Sequence, residues 1–333
     1  VLDASGQLVT DFTGIVNPTV KDSKVTVTCL KNSNKDDSPA FTFTDYPNTI
    51  FIGNDSVRNG KFSFTFTVPK DISYSNLQGK MNLYAVDTES GNEAQGNFDN
   101  FIVGGTSDTA ETDTIGPEIR ALYLNDTTFV DGGQVNTTPY FVAELWDKSG
   151  VNITGSSVGH DMMLVIDEST VLSYNLNSYY ELLLGEDGTG IVKFPIPALE
   201  PGKHTAEFWV WDILNNSTVR TFTFEVVEGL KPFLFDVIAT PGIAREQVTF
   251  HLMHNRPESR MRVGIMVYDL AGRQLWKHEE SGTSGLFENY TVSWDLTSGG
   301  ARMRPGVYIY RAAISTDNSK DATKARKFII LGE

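Results

Sequence analysis

The sequence predicts an all-β protein of three consecutive β-sandwich domains, and three observations carry that expectation. Apolar and small polar residues alternate in run after run. Val25, Val27 and Cys29 are interleaved with Thr26 and Thr28; Phe62, Phe64, Phe66 and Val68 with Ser63, Thr65 and Thr67; Val263, Ile265 and Val267 with Gly264, Met266 and Tyr268. Successive side chains of a strand point to opposite faces, so this is the period of a sheet with one buried face. The second observation is a turn phrase that occurs four times, a hydrophobic run ending in Asp and followed by Gly or Asn. It closes at Asp87 before Gly91, at Asp147 before Gly150, at Asp212 before Asn215 and Asn216, and at Asp269 before Gly272. Asp accepts backbone N–H groups two residues on, and Gly or Asn takes the left-handed conformation a tight turn needs. Third, helical periodicity is missing at length; only 178–184, Ser-Tyr-Tyr-Glu-Leu-Leu-Leu, suits a short helix or a single turn.

At 333 residues the chain suits two to four domains, and its 20 Phe, 12 Tyr and 5 Trp fill several cores. The first unit, 1–104, is expected to be immunoglobulin-like, with strands at 25–29, 61–68 and 81–86 and turns at 54–56 and 58–60. Residues 105–117 are small and polar and read as a linker. The second unit, 118–228, is another immunoglobulin-like sandwich. Its strands are expected around Ile119 and Leu122, then at Tyr140–Trp146, Met163–Ile166, 191–194, 204–211 and 220–227. Its Pro-Ile-Pro-Ala-Leu-Glu-Pro-Gly segment, 195–202, is a stiff loop. The third unit, 229–333, offers seven strands, at 233–239, 247–253, 262–269, 274–279, 290–295, 306–314 and 326–331, the count of a small sandwich.

Composition excludes several classes. With 27 Lys and Arg against 42 Asp and Glu, the net charge of −15 repels nucleic acid and anionic lipid. A single cysteine rules out a disulfide scaffold, and no apolar run is long enough for a membrane-spanning helix. The chain opens at Val1 without an initiating Met, as expected of the C-terminal piece of something larger.

No catalytic constellation converges. Cys29 falls on the apolar face with Val25 and Val27 and reads as a buried core residue. His251 and His254, three apart on a strand, take opposite faces and cannot grip one metal; His204 and His278 stand alone. Gly159-His160-Asp161 reads as a turn. Asp147-Lys-Ser-Gly-Val-Asn152 with Asp161 offers oxygens to calcium, but the spacing fits no compact loop and favours a solvated Asx turn. Trp146, Trp209 and Trp211 are either a sugar platform or, more simply, core. No metal and no cofactor is expected. Asp-Ser/Thr-aliphatic triplets at Asp55, Asp108 and Asp113 have the pattern of the O-glycan acceptor of Bacteroidetes.

The order of motifs in the last unit then resembles a known family. Val267-Tyr-Asp-Leu-Ala-Gly-Arg273, Val292-Ser-Trp-Asp295 before Gly299-Gly300, Pro305-Gly-Val-Tyr-Ile-Tyr310 and Lys324-Ala-Arg-Lys-Phe-Ile-Ile330 resemble the C-terminal domain of type IX secretion substrates. Ile115-Gly-Pro117, Leu122-Tyr-Leu-Asn-Asp126, Asp147-Lys-Ser-Gly-Val-Asn152, Gly159-His-Asp161 and Trp211-Asp-Ile-Leu-Asn-Asn216, with Val1–Gly6 and Asp11–Val16 before them, extend the likeness to the sortases of that system, which carry a gingipain-type cysteine peptidase domain upstream. One departure is that the first strand of such domains often opens with Asn-Pro-Phe, whereas this chain reads Ala239-Thr-Pro-Gly-Ile-Ala-Arg245.

The resemblance implies a cell-surface, outer-membrane-associated, exported enzyme. It would cleave sorting domains from cargo and attach the cargo to lipopolysaccharide, with its catalytic residues outside this chain. It implies a non-catalytic stalk here, with the third unit docking a PorV-like outer-membrane barrel and possible contacts with other type IX components. Candidate contact residues are Tyr308, Tyr310, Lys327, Phe328, Ile329 and Ile330, on strands that equally suit pairing inside the sandwich. The competing functions are a structural or adhesin fragment of another type IX cargo protein and a carbohydrate-binding module.

Overall fold

The computed structural model describes residues 1–30, 39–73, 75–107, 113–155, 159–183, 189–317 and 319–332. The chain is a multi-domain β-sandwich protein, and its one helical element among the described residues is a single 3-10 turn at Asn177–Tyr179. Contact density divides it into two compact units. The first comprises residues 1–122, 142–194 and 205–222, the second 123–141, 195–204 and 223–333.

In the first unit, Gly14–Lys21 is the organising strand. It pairs antiparallel with Lys80–Asp87 along its whole length, and its other edge takes Thr49–Ile52 and Asp55–Val57 in succession. Glu93–Phe98 extends the sheet from Lys80–Asp87. Alternation along Gly14–Lys21 buries Val16, Pro18 and Val20 and leaves Asn17 exposed. Val16 joins Phe12, Val57 and Ala85; Val20 joins Ile50, Ile72 and Val103.

Two expectations are corrected here. Residues 61–68 form no strand. Phe62, Phe64 and Phe66 still pack against these clusters, with Phe64 and Phe66 stacked 5.8 and 4.8 Å from Phe51, but Val68 is exposed. Alternation dictates which face a side chain takes; it cannot supply the neighbouring strand whose backbone would complete a ladder. Cys29 is exposed rather than buried. It follows the strand Val25–Thr28, whose only partner among the described residues is Thr42–Asp45, and this two-stranded ribbon leaves Val25 and Val27 half-buried and Phe41 and Phe43 exposed. A ribbon without a second layer cannot bury either face.

The same unit holds Met163–Ile166, paired with Ser173–Asn175 on one side and with the Gly202–Trp211 strand on the other, and Tyr180–Leu182 paired with Thr189–Pro195. Glu118–Leu124, Tyr140–Trp146, Thr189–Pro195, Gly202–Trp211 and Ser217–Val226 each run on from one unit into the other.

In the second unit, Leu234–Thr240, Val248–His254 and Tyr290–Trp294 form one sheet, and Ile243–Ala244, Ala322–Ile330, Gly306–Ser315, Met261–Tyr268 and Gln274–Gly282 the other, in that order. All seven strands expected of 229–333 are present, with bounds shifted by a few residues. The two sheets enclose a core in which Phe250 lies 4.9 Å from Tyr310 and 6.0 Å from Phe328, ring centre to ring centre. Tyr310 keeps its buried hydroxyl satisfied by donating to the Val237 carbonyl at 3.0 Å.

Candidate functional site

The recurring Asp is a turn device at all four positions. One carboxylate oxygen of each accepts the N–H two residues on and a second N–H just beyond. Asp87 holds Glu89 and Ser90, Asp147 holds Ser149 and Gly150, Asp212 holds Leu214 and Asn216, and Asp269 holds Ala271 and Arg273, all between 2.7 and 2.9 Å. These bonds hold the buried Asp87 and half-buried Asp269 carboxyls below the usual range, because each N–H stabilises the anion.

Two of these turn residues have a second property. Asp147 and Asp212 are buried and, with the half-buried Asp113, bring one carboxylate oxygen each to within 4.8 Å of one another. Asp113 accepts from the Ser149 hydroxyl at 2.8 Å, and Asp212 from the Asn216 amide at 2.6 Å. Burial pushes Asp147 up to about 6, against the pull of the Gly150 and Ser149 N–H groups, and the Asp212 and Asp113 carboxylates raise it further. Chemically this is a hard-oxygen cluster, and it supplies three of the six to eight oxygens calcium requires.

The calcium donors anticipated from sequence paired Asp147 with Asn152 and Asp161, and the structure separates them. Asn152 donates to Asp71 at 3.0 Å, and Asp161 accepts from Asn177 at 2.7 Å. Asp113 and Asp212 stand far from Asp147 in sequence, and the shared Asp-turn phrase was the only local signal linking two of the three.

A carboxylate whose folded pKa lies above its unfolded value binds protons in the folded state that the unfolded chain has released. The Asp147 contribution to stability is therefore most favourable below about pH 4 and is lost as pH rises through about 6. Asp147→Asn keeps an oxygen for the Ser149 and Gly150 N–H groups and removes the charge. It is expected to raise stability by about 1–2 kcal/mol at pH 8 in chelator-treated buffer and to flatten the slope between pH 4 and 6, read by thermal melts.

The histidines form no metal cluster among the described residues. His160 Nδ1 lies 2.7 Å from Asp71, which also accepts from Asn152 and Asn215, and its ring packs 4.5 Å from Trp211. His204 contacts the Glu200 carbonyl and His278 contacts Glu280. His251 and His254 lie on one strand, three apart, as expected.

His254 Nε2 lies 2.8 Å from the Ser284 hydroxyl, the spacing of a hydrolytic dyad, but its tautomer is wrong for catalysis. Nδ1 accepts the Arg256 N–H at 3.1 Å, so the ring proton sits on Nε2 and is donated to Ser284, which leaves no base for the hydroxyl.

The tryptophans are corrected too. Phe208 and Val210 of the Gly202–Trp211 strand are buried, whereas Trp209 and Trp211, on the opposite face, are half-buried, as is Trp146. Trp209 donates to Glu207 at 3.3 Å, and the Arg120 guanidinium lies 5.1 Å over the Trp146 ring. Sequence alternation was right about Trp209 and Trp211 sharing a face but could not say which face the second layer covers.

Of the contact residues, Tyr308, Tyr310, Phe328 and Ile330 are buried in the core, Ile329 is half-buried and Lys327 is exposed. Ala322–Ile330 pairs with Gly306–Ser315 throughout, and among the described residues the one strand laddered to its outer edge is Ile243–Ala244, opposite Ile329 and Ile330. Arg326 is held by Asp236 at 2.9 Å. Of the Asp-Ser/Thr-aliphatic triplets, the one at Asp55 lies in a strand with Ser56 exposed, the one at Asp113 includes a member of the carboxylate cluster, and the one at Asp108 lies outside the described residues.

No protein-family model and no curated protein sequence matches the chain. Among solved structures, it is similar over 100% of its length, at 38% identity and a TM-score of 0.40, to dimeric latent PorU from Porphyromonas gingivalis, of which it spans 31%. An α-2-macroglobulin fragment from Escherichia coli matches 64% of the chain at 10% identity and a TM-score of 0.32. An endo-β-1,4-mannanase from Thermotoga petrophila matches 33% at 14% identity and a TM-score of 0.23, over 21% of its own chain.

Proposed function

Starting from this end-to-end likeness to PorU, we propose that the chain is the non-catalytic C-terminal stalk and docking region of a type IX secretion sortase. The parent would be an exported cysteine endopeptidase that cleaves sorting domains from cargo and attaches the cargo to surface lipopolysaccharide. This chain would hold it at the outer membrane through a PorV-like barrel. No helix among the described residues is long and apolar enough to cross a membrane, so attachment by helix is not available to them. The domain division follows the motifs: sandwiches at 1–104, 118–228 and 229–333, with a linker at 105–117.

The observation that supports docking by the last sandwich is the combination of the motif order with an end strand that is paired on one side and largely open on the other. Lys324 and Arg326 on this strand bind the Phe235 carbonyl and Asp236, and exposed Lys327 adds a charge of the kind that discourages indiscriminate strand addition at an edge. Partner contact is therefore assigned to side chains, namely exposed Lys327 and half-buried Ile329. Lys327→Glu with Ile329→Ser in the whole chain is expected to weaken binding to a purified PorV-like barrel at least tenfold, measured by biolayer interferometry, with the thermal melt little changed. Binding equal to that of the unaltered chain would move the docking surface elsewhere.

A further inference from the structure

We propose that the open face of the first sheet is a binding site for neutral oligosaccharide. Three adjacent strands, Gly14–Lys21, Lys80–Asp87 and Glu93–Phe98, are in register so that Asn17 stands opposite Tyr84 and Tyr84 opposite Gln95. In the next row Thr19 faces Asn82, and Asn82 faces Asn97. All six have the parity opposite to buried Val16, Val20 and Ala85, so they project from the outer face of the sheet. They line a depression of about 400 Å³. Strands lie about 4.8 Å apart and same-face residues about 7 Å apart, so the two rows make a grid the width of a short sugar chain.

The chemistry of the grid selects its occupant. Each amide offers both a donor pair and an acceptor, which is what a sugar's hydroxyls, themselves donors and acceptors, require. The Tyr84 ring adds apolar area with a polar tip. Asn17, Thr19, Asn82, Gln95 and Asn97 make no side-chain hydrogen bond among the described residues, so their polar groups are free for a ligand. None of the six is charged, and the chain's net charge of −15 disfavours a polyanion. A peptide would look for an apolar pocket, which this face lacks, or would add to the outer edge of Glu93–Phe98, beside the grid and not across it. The inference does not depend on the sortase reading.

An array of neutral and anionic oligosaccharides, probed with the whole chain, tests it. Neutral glycans are expected to bind, and Asn82→Ala with Gln95→Ala is expected to reduce that signal at least tenfold with an unchanged thermal melt, since Asn82 and Gln95 are exposed. Absence of neutral binding, preference for anionic glycans, or binding that survives this double variant while Trp211→Ala abolishes it would each overturn the proposal.

Discussion

Replacing Arg256 with alanine is expected to destabilise the second unit by about 3–5 kcal/mol, the range for removing one partner of a buried, hydrogen-bonded charged group. Arg256 is 1% exposed, among the largest fully buried side chains of the molecule. Its Nη2 donates to the carbonyls of Leu230 at 3.1 Å and Lys231 at 3.4 Å, and its Nη1 to the carbonyl and side-chain oxygen of Asn255 at 3.0 and 2.9 Å. Burial lowers its pKa to about 10, opposed by Asp126, so the guanidinium stays charged at neutral pH.

Truncation strips a donor from each of those oxygens and leaves a void as well. The Leu230-Lys231 segment leads directly into the first strand of the last sandwich, so its anchoring fixes where that sandwich begins. Arg256→Met, which keeps most of the apolar stem, separates packing from hydrogen bonding. It is expected to recover less than half of the loss in a urea melt, and to leave amide exchange across 229–233 as fast as in the alanine variant. Full recovery by Met would mean that volume, not the donors, holds the segment.

Nothing local marks Arg256 in the sequence, and the contrast with what is legible there is instructive. The four Asp turns could be read because donor and acceptor lie two residues apart, so the interaction is fixed before any tertiary contact forms. The seven strands of 229–333 could be read because each carries its own alternation and the turn chemistry between them is explicit. Residues 61–68 alternate just as cleanly and form no strand, since pairing depends on a neighbour that the run itself does not specify. Cys29 alternates with the valines and is exposed, because burial depends on a second layer over the Val25–Thr28 ribbon. The Asp113, Asp147 and Asp212 cluster is assembled by topology from three distant segments. Tyr308 and Tyr310 share a face, as their spacing requires, but that face is the core.

Acidification from pH 7 to pH 4 is expected to cost the second unit about 2–3 kcal/mol through His254 alone. Burial lowers its pKa from 6.5 to about 4, and the neighbouring Arg256 charge pushes the same way. The unfolded chain takes up a proton near pH 6.5 and the folded chain does not until about pH 4. Stability is therefore full above pH 6.5, declines as pH falls through this window, and levels off below it. The slope cannot exceed about 1.4 kcal/mol per pH unit from a single site.

The structural reason is the tautomer. Nδ1 already accepts the Arg256 N–H, so a second proton there would break that bond and set a charge beside a guanidinium with no carboxylate bonded to it among the described residues. His254→Asn keeps an oxygen where Nδ1 stood and cannot titrate. It is expected to lower stability at pH 7, because the bond to Ser284 is lost, yet to remove the His254 contribution to the acid slope. Melts of the two proteins at half-unit steps from pH 7.5 to 4 should therefore converge as the pH drops; parallel curves would assign the acid sensitivity to the carboxylates instead.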